Sequence, residues 1–248
     1  MRTIALTNRK GGSGKTTVAV NLAFRLAQKG KRVLLIDLDT QAHSTFILDP
    51  EPGREKKGLE QLFQAKKNIS SLILPTRQKR LLLFPSPGGI EQLADARRKE
   101  LSFFRTCLQE VAGDFDFAII DMPPSLEKVV ICGLAAAEEV FIPLQTHFLP
   151  MQGLAQLVRL IIDAAAEWGH ALQLSGIIPT LYNPRTRIHL GVIDEIRSTF
   201  GNELLMPGIP YDIRLAEAPS FRRTVFEHAA KSKAALAFNL LAKKVLEM

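Results

Sequence analysis

Residues 2–30 read RTIALTNRKGGSGKTTVAVNLAFRLAQKG. The opening RTIALTN is a short apolar run that predicts a buried strand over 2–8. Residues 9–16 then place three glycines ahead of Lys15-Thr16. From Lys15 to Gly30 the pattern is helical. Val18, Leu22 and Leu26 share one stripe, and Gly30 stands where a helix stop belongs. Strand, glycine-rich turn and helix in that order form the layout of a phosphate-binding loop.

The strict loop pattern is G-x-x-x-x-G-K-[ST]. Counted back from Gly14-Lys15-Thr16, its first glycine falls on Arg9, which Lys10 follows. The chemistry survives this departure. A triphosphate needs backbone N–H donors at close range, a cation and a metal. Gly11, Gly12 and Gly14 let the chain curl inward without Cβ clashes. A helix starting near Lys15 aims its N-terminal N–H groups and positive dipole end at the phosphates. Lys15 is placed for the β- and γ-phosphates, and the Thr16 hydroxyl for Mg²⁺.

Downstream, strand-like runs alternate with helical stretches. KRVLLIDLD (31–39), RLLLFP (80–85), DFAIIDM (116–122), EVFIPLQ (139–145), LSGIIPTLY (174–182) and LLMPGIP (204–210) predict strands. Helices are expected over 90–112, 126–137, 151–168, 187–200 and 231–247, and the segment 49–79 holds one short helical patch, LEQLFQAKK. This alternation predicts an α/β fold: one doubly wound, mostly parallel sheet with helices on both faces, in one domain over 1–248. Ligands of such sheets bind beyond the carboxyl ends of the strands. The loop at 9–16 lies there. So do Asp37 and Asp39 after the second strand, and Asp121, which ends FAIID. An apolar strand closing on Asp121 is read as a Walker B carboxylate that holds a Mg²⁺-bound water. Pro123-Pro124-Ser125 follows it as a stiff turn lining the site.

Composition narrows the class. Of 248 residues, 46% are hydrophobic and 23% charged, which suits a folded globular chain. Cys107 and Cys132 offer neither a disulfide framework nor paired C-x-x-C spacing. No apolar stretch reaches the ~20 residues that span a bilayer, and the N-terminus lacks a signal peptide, so a cytoplasmic protein is expected. The net charge of +7 favours polyanionic partners, and residues 54–105 contribute 12 Lys/Arg against 5 Asp/Glu.

Four ordered motifs carry a family resemblance. Lys10-Gly11-Gly12-Ser13-Gly14-Lys15-Thr16-Thr17 resembles the deviant Walker A motif of the ParA/MinD partitioning ATPases. VLLIDLDTQAHST (33–45) and FAIIDMPPS resemble the family's second and third motifs, and IPYDIRLAEAPS (209–220) resembles a C-terminal block of the Soj-like ParA proteins. The resemblance implies an ATP- and Mg²⁺-dependent switch ATPase. It would form a sandwich homodimer in which Lys10 reaches the partner's nucleotide. By the same resemblance, ATP is bound by Lys10, Gly11, Gly12, Ser13, Gly14, Lys15, Thr16 and Thr17. Asp39 positions the attacking water, Thr16, Asp37 and Asp121 attend the metal, and Asn183, Pro210 and Asp212 cradle the adenine, partly through backbone. Thr40 in place of the usual Pro, Ala42-His43 in place of Gly-Asn, and the stretches Gln145-Thr146-His147 and Pro150-Met151-Gln152-Gly153 depart from the family pattern.

The resemblance further implies non-specific DNA binding through Arg185 and Arg214. Arg187, Arg222, Arg223, Lys231 and Lys233 would extend that strip, and a ParB-like partner would stimulate slow hydrolysis on the nucleoid. No helix-turn-helix segment precedes the first strand, so operator-specific binding is not expected. A MinD-like membrane switch would need an amphipathic tail. SKAALAFNLLAKKVLEM instead falls where the family's last packed helix belongs, and no membrane partner is expected. Cys132-Gly133 superficially fits an iron–sulfur reductase, but Cys107 sits in the wrong element for one. A relative positioning another cargo shares every motif named.

Overall fold

Strands whose two faces are both apolar must be covered on both sides. The computed structural model describes residues 1–51, 57–65, 68–87, 102–124, 128–146, 151–168 and 172–248. Among them the strands are β1 (Arg2–Leu6), β2 (Val33–Asp37), β3 (Leu74–Pro75), β4 (Leu81–Phe84), β5 (Phe117–Asp121), β6 (Glu139–Gln145) and β7 (Gln173–Thr180). They form one sheet in the order β3-β4-β2-β5-β1-β6-β7. Every pairing is parallel except β3 with β4.

The pleat divides the core in two. Ile4, Leu6, Leu35 and Ile119 face one side, packed with α1 (Lys15–Gln28) and the C-terminal helix of residues 233–247. Ala5, Leu34, Ile36 and Ile120 face the other. Further helices cover that side, among them the stretches Phe103–Glu110, Lys128–Ala136 and Met151–Trp168, which bring Phe104, Val130, Leu154 and Leu157 to it. The expected α/β fold is therefore present.

In chain order the helices after α1 are α2 (His43–Leu48), α3 (Leu59–Ala65), α4 (Phe103–Glu110), α5 (Lys128–Ala136), α6 (Met151–Trp168), α7 (Arg187–Phe200), α8 (Ile213–Glu217), α9 (Val225–Ala229) and α10 (Lys233–Glu247). The expected helices 151–168 and 187–200 match α6 and α7. Those expected over 90–112 and 126–137 fall partly on 88–101 and 125–127, outside the described residues.

One strand expectation fails. LLMPGIP (204–210) makes only isolated bridges, Leu205 to Ile177 and Pro210 to Tyr182. Pro207 and Pro210 have no N–H to give a ladder, so the segment lies along β7 without joining the sheet as a strand. Conversely, the antiparallel two-residue β3 has no alternating pattern from which to be read.

α10 packs against the sheet through Phe238, Leu241 and Val245, while Leu236 and Leu240 face outward. Among the described residues no helix is long and apolar enough to cross a membrane. Cys107 and Cys132 are both buried and not joined in a disulfide. Burial pushes the Cys107 thiol up to about 11, and the Cys132 thiol is also raised.

One ion pair fastens the sheet's amino edge. Arg2 donates through Nε and Nη2 to the two carboxylate oxygens of buried Glu139, at 2.8 and 2.9 Å, and through Nη1 to the Val245 carbonyl of α10 at 2.7 Å. The bidentate geometry joins β1, β6 and α10. Removing Arg2 strands a buried carboxylate. Arg2→Ala is expected to cost about 1–3 kcal/mol of unfolding free energy, read as a lower urea midpoint at unchanged slope, with part regained in Arg2→Ala/Glu139→Gln.

Candidate nucleotide site

The carboxyl ends of β1, β2 and β5 meet at one point because of register. Asp121 lies opposite both Leu6 and Asp37. The loop leaving β1 therefore starts beside two carboxylates, one from the adjacent β5 and one from β2 beyond it.

That loop is held from two strands, β6 and β7. Asn8 Nδ2 donates to the Pro143 carbonyl at 2.7 Å, and Asn8 Oδ1 accepts from the Lys10 N–H at 3.0 Å. Gln145 Nε2 donates to the Gly12 carbonyl. Thr180 Oγ1 donates to the Ser13 carbonyl at 2.8 Å. Gly12 and Gly14 take φ of 71° and 92°, a region that disfavours side chains, and a Cβ at Gly14 would also press on Thr180 at 3.3 Å. Gly14 then caps α1, so the first free N–H groups of that helix open onto the loop's cavity.

Lys15 is buried and donates through Nζ to the Lys10 carbonyl at 3.4 Å. Burial lowers its pKa, while Asp121 and Asp39 pull it back up. Lys10, by contrast, is exposed at the loop's outer edge. Beside it Arg9 donates to Gln156 of α6 at 3.4 Å.

Beneath the loop, Asp37 and Asp121 are fully enclosed. Asp37 Oδ1 accepts from the Asp39 N–H at 3.1 Å, and Oδ2 from the N–H and hydroxyl of Thr45 at 2.8 and 2.7 Å. Asp121 Oδ2 accepts from the Ser44 hydroxyl at 2.7 Å. Its Oδ1 is buried and lacks a hydrogen-bond partner, although the nearby Thr16 hydroxyl helps to hold the charge. Asp39 is also buried and accepts from the Gln41 N–H at 3.0 Å. Desolvation raises the pKa of both Asp37 and Asp121, and for Asp37 the neighbouring Asp121 charge adds to it. Among the described residues no three His, Cys, Asp or Glu side chains converge as a self-sufficient metal site. The orphaned Asp121 oxygen beside Thr16 fits a Mg²⁺ whose shell is completed by phosphate and water, the habit of that ion.

The segment from Asp39 to Thr45 brings the two hydroxyls of α2 under the carboxylates. It turns at Ala42, whose φ of 52° is left-handed; a glycine, usual here in the family the sequence resembles, would adopt this without strain. Ser44 and Thr45 lay inside the quoted motif, yet only their placement reveals their role as donors.

A cleft leads away from the loop. Gly12, Ser13, Gly14 and Thr17 line one end; Ile209, Pro210, Tyr211 and Asp212 line the other. Of the three residues expected at the base, Pro210 and Asp212 border the cleft. Asn183 is not among its lining residues: its side-chain oxygen accepts from the Arg185 N–H at 3.0 Å and its own N–H donates to His189 Nδ1 at 3.0 Å. Gln145, Thr180 and Tyr211 were not singled out for these roles by the sequence.

The expected arginines divide. Arg185 and Arg187 are exposed at the start of α7, and Arg214 is exposed on α8. The parallel Tyr182–Pro210 bridge sends the chains bearing Arg185 and Arg214 out side by side. Arg223 is exposed too. Arg222 is engaged internally, donating to the Asp49 carbonyl at 3.0 Å and lying 4.8 Å over the Phe46 ring. Within the basic run 77–80, Arg77 donates to the carbonyls of Ile47 and Arg222. The runs at 54–56 and 97–99, with Ser125, His147 and Pro150, lie outside the described residues.

The raised carboxylates carry a pH signature. A folded-state carboxyl pKa above its unfolded value stabilises below the ordinary carboxylate range, and that stability is lost as pH rises through the raised value. Asp121→Asn keeps an acceptor for Ser44 and removes the charge. Without nucleotide or metal, the variant is expected to be more stable than the parent at about pH 8, by about 1–2 kcal/mol or several degrees in Tm, and the gap is expected to close as pH falls to about 4. Calorimetric melts at the two pH values check this.

Comparison with known proteins agrees with this geometry. Residues 1–174 match the family model described as an AAA domain. The chain is 38% identical to the chromosome-partitioning ATPase Soj of Thermus thermophilus, over 99% of this chain and 96% of that protein. It is 32% identical to the sporulation initiation inhibitor protein Soj of Bacillus subtilis, over 98% and 97%. Among solved structures it resembles cobyrinic acid a,c-diamide synthase of Mycobacterium smegmatis with bound ADP and magnesium, with a TM-score of 0.84 at 31% identity, covering 100% and 94% of the two chains. With near full-length coverage in both directions, the chain belongs to the ParA/MinD family of chromosome-partitioning ATPases.

Proposed function

We propose that this protein is an ATP-driven dimerisation switch that grips DNA non-specifically and uses slow, partner-stimulated hydrolysis to let go, in the service of chromosome or plasmid segregation. The observation that carries it is the meeting of a tethered phosphate loop, buried Lys15 and the paired carboxylates Asp37 and Asp121 at one end of the sheet. ATP and Mg²⁺ are its cofactors, a reading supported by the relatives with bound nucleotide and magnesium. The whole of 1–248 acts as one ATPase domain.

Lys15 neutralises the β- and γ-phosphates, and the α1 N–H groups cradle them. Thr16 ligates Mg²⁺, with Asp37 and Asp121 holding its water. Asp39 orients the attacking water. Lys10 is exposed at the lip of the loop, so its ammonium is free to reach the nucleotide of a second copy, where it stabilises charge developing on the transferred phosphoryl group. In the dimer, Arg185, Arg187, Arg214 and Arg223 contact DNA phosphates. Arg222 contributes less, because its guanidinium is committed to Asp49 and Phe46. The setting is the cytoplasm, on the nucleoid, with a ParB-like adaptor as the activating partner.

Two experiments test this. With Mg-ATP, Lys15→Ala is expected to lose nucleotide binding. Lys10→Ala should bind ATP as a monomer yet fail to dimerise, and Asp39→Ala should stay dimeric because hydrolysis stops. Light scattering behind size exclusion reads all three, and an ATP-dependent dimer of the Lys10 variant would contradict the cross-subunit role. For DNA, Arg214→Glu is expected to leave dimerisation intact and weaken retention on random-sequence duplex uniformly, with the log–log salt slope reduced by about 1.

A further inference from the structure

We infer that Tyr211 sets the base selectivity of the nucleotide site, by stacking on a purine ring at the end of the cleft away from the phosphate loop. This rests on the nucleotide reading above and adds which base is chosen and by what force. The far wall of the cleft is apolar, built from Leu181, Ile209, Pro210, Leu215 and Ala216. Among the described lining residues one side chain is charged, that of Asp212. Its carboxylate is fixed in place by backbone. Oδ1 accepts from the Arg214 N–H at 3.1 Å and caps α8, Oδ2 accepts from the Ala234 N–H at 3.2 Å, and the side chain is only 5% exposed.

Tyr211 is the opposite case. It borders the same cleft and is 65% exposed. A large ring left in water beside an apolar slot is the arrangement that base stacking uses. Its backbone is pinned on both sides. Pro210 is bridged to Tyr182, with the Tyr182 N–H donating to the Ile209 carbonyl at 3.0 Å, and Asp212 is fixed by its two accepted bonds. The ring therefore swings from a rigid base, and ordering it on a ligand costs little. Stacking scales with ring area, so it separates purines from pyrimidines. It does not read the base edge, so it separates adenine from guanine poorly. Tyr211 is thus a specificity residue for the base, and the lysines and carboxylates at the other end serve the phosphates.

The test titrates Mg-ATP, Mg-GTP, Mg-CTP and Mg-tripolyphosphate into the full chain, its Tyr211→Ala variant and its Tyr211→Phe variant by calorimetry. The parent is expected to bind ATP and GTP within about tenfold of each other and both more tightly than CTP. Tyr211→Ala should weaken ATP and GTP by about 5- to 50-fold, leave tripolyphosphate unchanged and collapse the ATP-to-CTP ratio; Tyr211→Phe should retain it. An unchanged ATP-to-CTP ratio in Tyr211→Ala, or GTP rejected by the parent as strongly as CTP, overturns the stacking role while tripolyphosphate binding keeps the phosphate site intact. A parent that binds neither ATP nor tripolyphosphate overturns the nucleotide reading, and this inference with it.

Discussion

Two carboxylates sit side by side in the protein interior. The parallel register of β2 and β5 sets Asp37 directly opposite Asp121, and both are buried. Like charges at neighbouring strand positions in a low dielectric repel strongly, and burial alone disfavours either charge. Much of the surrounding structure answers this constraint. Thr45 gives Asp37 two donors, Ser44 gives Asp121 one, and Lys15 brings the positive charge. These groups offset the repulsion without removing it, since both acids remain shifted upward. A divalent cation would offset what remains, and the unpartnered Asp121 oxygen is a place for it to act.

The phosphate loop answers a second constraint. Its glycines give it freedom, and freedom alone would let the loop collapse onto the carboxylates. Side chains from beyond β1 prevent this: Gln145 holds the Gly12 carbonyl and Thr180 the Ser13 carbonyl. Carbonyls drawn outward leave N–H groups facing in, which is the polarity an anion requires. Lys15, donating to the Lys10 carbonyl, rests on the loop's own backbone and has only to exchange that acceptor for a phosphate oxygen.

The fold was legible because its signals are local. Unbroken apolar strands at 33–37 and 117–121, helical stripes between them and a glycine turn before Lys15 require no knowledge of distant partners. The residues expected at the phosphates and metal were legible as a group for the same reason, since Lys15, Asp37 and Asp121 each end or begin an element and Thr16 follows Lys15. Residues 204–210 were misread as a strand because apolar content outweighed the missing N–H groups of Pro207 and Pro210. Asn183 and Asp212 follow a different logic. Both are short polar side chains beside tight turns, and each spends its oxygen on nearby backbone N–H groups, a competition that spacing does not reveal. Arg222 looked like one more exposed cation until Asp49 and Phe46, over 170 positions away, came alongside it.

The hydrogen bonds that hold the loop also extend past it. Gln145 grips Gly12, and its neighbour Thr146 donates from its N–H to the Thr180 carbonyl at 3.2 Å. The Thr146 hydroxyl lies 2.8 Å from His189 Nδ1, which also accepts the Asn183 N–H at 3.0 Å. That nitrogen accepts from a backbone N–H and so carries no proton, and the Thr146 hydroxyl beside it also donates to the Thr180 carbonyl at 3.3 Å. Asn183 in turn holds the Arg185 N–H. The path from Gly12 to Arg185 is therefore continuous and buried at Thr146 and His189. A shift of the β6 end toward or away from an occupied phosphate loop cannot leave the arginine loop where it was without breaking a buried hydrogen bond, at a cost of about 1–3 kcal/mol. That energy is of the size that couples two sites.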